Sequence, residues 1–211
     1  VETCCLMTFA NSGFSGKKRL LGLDPGLRRT GWGIIDIDGS RLVHVGNGVV
    51  CSTAGLDIAE RLVELHSGVL DLVKKFQPDE VAAEETFVNK NPESTLKLGL
   101  ARGSVLLAPA LSGVSVTEYA PNRVKKSVVG AGHANKDQVQ MMVSRILPKA
   151  ILFNEDSADA LAVAICHAHF AQNRFLNEKV GIRNHGKLSH NSTRSRMKEL
   201  INAAILKEEN Q

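Results

Sequence analysis

Leu20, Leu21 and Leu23 make RLLGLD (19–24) an apolar run of the kind buried in a central strand. GWGIIDID (31–38) alternates, DGS (38–40) supplies turn residues, and RLVHVGNGVV (41–50) returns as a strand. The chain therefore opens on a three-stranded meander. The period then changes. From Leu56 to Phe76 the apolar positions Ile58, Leu62, Leu65, Val69, Leu72 and Val73 recur at three and four. That spacing predicts an amphipathic helix, which Pro78 stops. EVAAEETF (80–87) reads as the next strand, Pro92 opens a helical stretch to about Leu111, and SVTEYA (115–120) is a further strand. Asn135 or Asp137 starts a helix that Pro148 ends, and Asp156 begins a final apolar one, DSADALAVAICHAHFA. This order predicts an α/β layer fold, a mixed central sheet flanked by helices. Residues 1–17 read as a loose N-terminal leader. Residues 173–211 read as a basic, mobile tail with a short helix over 197–206, which leaves 18–172 as the domain.

Composition narrows the class. A chain of 211 residues can bury a proper core, and 43% hydrophobic with 23% charged residues excludes wholesale disorder. No apolar run approaches the ~20 residues needed to span a bilayer. The net charge is +4, and residues 172–211 account for it with eight Lys/Arg against four Asp/Glu. Within the neutral remainder, residues 90–136 carry seven basic side chains and only two acidic ones. A neutral domain with one basic stretch and a basic tail fits a polyanionic partner. Cys4, Cys5, Cys51 and Cys166 have no CxxC spacing, so neither a zinc site nor a disulfide framework follows. Reduced thiols imply a cytoplasmic setting. The first residues do not read as a signal peptide. The initial Val suggests an alternative start codon or a fragment, with Met7 as a possible true start.

Three acidic elements carry the chemistry. In LGLDPGLRRTGWGII an apolar strand ends in Asp24 before a Pro-Gly turn. A carboxylate at a buried strand end is costly unless something positive lies beside it. In VAAEETF one of two acids again falls inside an apolar strand, and alternation puts Glu84 and Glu85 on opposite faces. Periodicity does not choose between them. In EDSADALAVAI, Asp156 and Asp159 are three apart at a helix start and project from one face. Each element alone also has a bland explanation as a turn cap, a strand charge or a helix-dipole partner. Together, from remote parts of the chain, they match the all-oxygen donor set of a hard divalent ion such as Mg²⁺ or Mn²⁺. Two such ions about 3.5–4 Å apart can cleave a phosphodiester.

The ordered blocks LGLDPGLRRTGWG, FQPDEVAAEETFVNKNPESTLKLGLARG, EYAPNRVKKSVVGAGHANKDQVQ and DSADALAVAICHAH resemble the RuvC family of bacterial Holliday-junction resolvases, over about residues 19–172. The resemblance implies an RNase H-like fold and a homodimer that uses Mg²⁺ to nick four-way junction DNA symmetrically, in recombination and repair. It implies that Asp24, Glu84, Asp156 and Asp159 are the catalytic acids, and so selects Glu84 over Glu85. It further implies that Phe87 packs on bases and that Lys125 and Lys136 meet phosphate, with Arg123 and Lys126 as weaker DNA-binding candidates. Partnership with the branch-migration proteins RuvA and RuvB follows from the same source. Rival readings are another nuclease on this fold, acting on RNA–DNA hybrids or ribosomal RNA precursors, and a non-catalytic junction-binding protein. An actin-like ATPase is disfavoured, because 211 residues are too few for its two domains.

Overall fold

The computed structural model describes residues 17–38, 40–86, 91–152 and 154–179, with side chains through Ala171. The leader and nearly all of the tail, including the helix expected over 197–206, lie outside the described residues. So does Phe87. Apart from the last residues of the final helix, the features below lie in the first of two compact units, which ends at Asn173.

The meander forms as expected: β1 (Lys18–Asp24), β2 (Arg29–Asp38) and β3 (Arg41–Cys51) pair antiparallel in sequence order. After α1 (Ile58–Phe76) the chain returns as β4 (Glu80–Glu84), parallel to β1. Next, α2 (Pro92–Leu111) leads to β5 (Ser115–Tyr119), parallel to β4. The sheet order is β3-β2-β1-β4-β5, a mixed sheet with β1 at its centre. Among the described residues no helix is long and apolar enough to cross a membrane.

Three elements differ from expectation. A helix that the apolar spacing left unread, α3, spans Pro121–Val129. Its signals were Pro121 at the first turn, Val124 and Val128 four apart, and Gly130 at a left-handed cap. The strand expected over 80–87 stops at Glu84, because its pairing with β1 and β5 runs out there. The last helix, α5, runs Glu155–Lys179, past the expected end at 171, through residues with good helix propensity. Between α3 and α5 lies α4 (Lys136–Ile146), capped by Asn135.

Strand alternation sorts the core into two layers. Leu20, Ile35 and Ala82 pack with α3, α4 and α5 on one face. Leu21, Leu23, Val81 and Ala83 pack with α1 and α2 on the other. The α5 layer sits very close to the sheet. A Cβ on Gly22 would stand 2.2 Å from the Ala160 carbonyl oxygen, and one on Gly31 would stand 2.0 Å from that of Asp156. Glycine on the strands and alanine on the helix let the start of α5 rest on β1 and β2.

Candidate active site

Asp24 and Glu84 are the last residues of two adjacent parallel strands, one step past the Leu23–Ala83 register pair. The C-terminal edge of parallel strands is where α/β folds gather ligand-binding groups. Parity completes the arrangement. Asp24 shares its face with Leu20, and Glu84 shares its face with Ala82, so both point to the α5 side. Glu85 has the opposite parity, toward the layer of Ala83. Strand geometry thus puts Glu84, and not Glu85, beside Asp24.

A cavity of about 310 Å³ opens there. Asp24, Glu84 and Asp159 line it, with Lys125 from α3 and Lys136 from the start of α4. Asp159 projects from the first turns of α5, which Gly31 brings down onto the sheet. Asp156, one turn earlier, is not part of the cavity wall, but its charge acts on Asp24 and Asp159. The structure therefore brings three of the four expected acids to one cavity and leaves the fourth, Asp156, off its wall. Lys126 and Arg123 are exposed on α3 and do not line it. The Arg123 guanidinium lies 4.3 Å from the centre of the Phe170 ring. His133 is exposed and has no place in the cavity.

The electrostatics are those of crowded anions. Burial, and then the charges of Glu84, Asp159 and Asp156, push the Asp24 carboxyl up to about 8. Burial, then Asp159, push Glu84 up to about 7, while Lys125 and Lys136 oppose the rise. Burial also raises Asp159, against the pull of Lys136. Lys136 is itself held charged by a 3.1 Å contact to Glu155 and sits 3.9 Å from Asp159. Among the described residues no three His, Cys, Asp or Glu side chains close on one point as they stand. A divalent cation fits the donor set, because every candidate ligand is a hard carboxylate oxygen.

Two partners escaped sequence reasoning. Glu155, which orients Lys136, carried only the ordinary signal of an acid in a first helical turn. Arg29 contacts Asp156 at 2.9 Å, a pairing that no spacing in the sequence announces.

Comparison with known proteins agrees with this geometry. Residues 20–167 match the family described as Crossover junction endodeoxyribonuclease RuvC. The protein of that name from Rhodospirillum rubrum is 60% identical over 152 residues, covering 72% of this chain and 90% of the relative. Its namesake from Paramagnetospirillum magneticum is 62% identical over 151 residues, covering 72% and 91%. Among solved structures, Thermus thermophilus RuvC in complex with Holliday junction substrate superposes with a TM-score of 0.70 at 35% identity. That match covers 74% of this chain and 96% of the other. The fold is RNase H-like. With two thirds of the chain matched in sequence and the same fold recovered, the chain belongs to the RuvC family of crossover junction endodeoxyribonucleases.

Proposed function

We propose that this chain resolves four-way DNA junctions by paired, symmetric nicks, in recombination and repair, using Mg²⁺ with Mn²⁺ as a substitute. The observation that carries this reading is a single cavity with Asp24, Glu84 and Asp159 on its wall and Lys125 and Lys136 beside them. Such a site joins cation-binding acids to phosphate-binding lysines. The Thermus thermophilus relative in complex with Holliday junction substrate supports the choice of DNA.

In this reading Asp24, Glu84, Asp156 and Asp159 are the catalytic acids and would hold the metal, two ions per site. When bound, such ions would supply Lewis-acid polarisation of the phosphodiester and activation of water. The chain's own side chains do the rest. Lys125 and Lys136 bind the phosphate and offset the crowded acids. The sheet edge and the close-packed start of α5 keep the carboxylates at fixed separations. Arg123 and Lys126, exposed on α3, extend the cationic surface along the backbone of the DNA. Phe87 is assigned a stacking role on family membership alone.

A two-fold junction calls for two sites, and α2 supplies a face for a second copy. Leu96, Leu100, Leu107 and Leu111 are 67%, 44%, 50% and 70% exposed, in one row along the helix. Gly103, in the same row, has open space around it, which lets another helix approach. Association with RuvA and RuvB, and a cytoplasmic setting for the free thiols Cys51 and Cys166, complete the proposal.

The test is cleavage of end-labelled synthetic four-way junctions in Mg²⁺, with linear duplex and RNA–DNA hybrid alongside, on a denaturing gel. Symmetric nicks confined to the junction, abolished in Asp24→Asn while binding persists, are expected. Binding without cuts would favour the non-catalytic reading. Cuts mainly in the hybrid would favour the other nuclease class.

A further inference from the structure

Arg29 opens β2 five residues after Asp24, and its side chain is 62% exposed. Even so it reaches back over the sheet edge, with Nε 2.9 Å from Asp156 Oδ2. That oxygen is buried and makes no aligned hydrogen bond, so charge attraction rather than a shared proton holds the pair. The reach follows from strand parity. Arg29, Gly31 and Gly33 occupy alternate positions of β2 on the α5 side. Gly31 lets the Asp156 backbone rest on the strand, and Arg29, two residues earlier, then lies beside the Asp156 carboxylate.

The turn that presents Arg29 is itself held. The Leu27 carbonyl accepts hydrogen bonds from Ser52 Oγ at 2.5 Å and from the Arg61 guanidinium at 3.2 Å. Thr30 Oγ1 donates to the Gly26 carbonyl at 3.0 Å. Arg29 is therefore a cation tethered at a fixed base, with only its side chain left to move. Arg29 meets Asp156 through this Nε contact, and an ion pair with one partner mostly in water is weak.

We propose that Arg29 is a built-in counter-charge on Asp156 that a divalent cation must displace, and that it thereby sets the metal affinity of the site. This rests on the reading of the four acids as metal-binding. In the metal-free protein Arg29 offsets part of the repulsion among the acids. When a cation enters, Asp156 exchanges one positive partner for another, and the guanidinium is released at the mouth of a site that must receive a phosphate. Removing Arg29 therefore strengthens metal binding, whereas removing an ordinary positioning residue weakens it.

The experiment is Mn²⁺ binding to the full chain without DNA, read from the free-ion electron paramagnetic resonance signal. The variants are Arg29→Ala, Arg29→Lys, Asp156→Asn, the double variant Arg29→Ala with Asp156→Asn, and Asp24→Asn. Arg29→Ala is expected to bind Mn²⁺ roughly three- to tenfold tighter, the scale of one charge acting through partly hydrated surroundings. Arg29→Lys, which keeps the charge, stays near the parent. In the Asp156→Asn background the Arg29→Ala gain disappears. Equal or weaker binding by Arg29→Ala overturns the proposal, and so does a gain that persists without Asp156. If Asp24→Asn binds Mn²⁺ as the parent does, the metal reading fails first and takes the proposal with it.

Discussion

Asp24→Asn is expected to stabilise the metal-free protein while destroying its activity. The Asp24 carboxyl rises from an ordinary 3.8 to about 8, chiefly through burial and then through its neighbours' charges. The sign follows from linkage. The folded state keeps a proton that the unfolded chain sheds, so this group's contribution to stability is greatest below about pH 4 and is lost as pH rises toward 8. About four units at ~1.36 kcal/mol each set a ceiling near 5 kcal/mol at pH 7.5. Hydration of the open cavity and the sharing of protons among neighbouring acids reduce the expected gain to about 1–3 kcal/mol. Asparagine keeps the shape and cannot ionise, so it escapes this cost. Urea unfolding in EDTA at pH 7.5 should show a higher midpoint for the variant at an unchanged slope. In 10 mM Mg²⁺ the order should reverse, because the ion stabilises only the chain that binds it. A variant less stable than its parent in EDTA would refute the reasoning, since it would mean that Asp24 stabilises the fold rather than straining it.

Three further outcomes follow from the same geometry. Metal binding must expel protons held by Asp24, near 8, and Glu84, near 7, so Mn²⁺ affinity should rise from pH 6 to 8.5. Calorimetry in two buffers of different ionisation enthalpy should detect that release at pH 7, and none would contradict the raised carboxyls. Glu84→Gln should cut junction cleavage by about 100-fold or more, whereas Glu85→Gln, on the opposite strand face, should leave the rate within about threefold; comparable losses in single-turnover assays would discredit the parity argument. Leu100→Glu with Leu107→Glu should weaken self-association at least about tenfold, because each buried leucine contributes about 1.5–3 kcal/mol and appears twice across a two-fold axis. Sedimentation velocity would expose the error if the doubly substituted chain still sedimented as a dimer with its circular dichroism intact.

Much of the fold was legible because short-range patterns encode it. Period-2 and unbroken apolar runs marked the strands, and the three-to-four spacing of Ile58 to Val73 marked α1. The α3 helix went unread because nine residues with three cationic side chains carry only two buried positions, Val124 and Val128, too few to reveal a period. The omission mattered, since α3 carries Lys125 into the cavity wall.

The sequence by itself determined which acids stand at strand and helix ends, and that three such elements together match the donor set of a hard cation. It left Glu84 and Glu85 equivalent, because alternation says that two neighbours face opposite ways but not which way the core lies. Only the tertiary structure decided that, by stacking α5 against the Ala82 face and α1 and α2 against the Ala83 face. It also decided the pairing of Arg29 with Asp156, 127 positions apart, through one glycine that lets a helix rest on a strand. Patterns along a chain report what each residue prefers as its surroundings. Which charge meets which depends on packing distances of a few ångströms between elements remote in sequence.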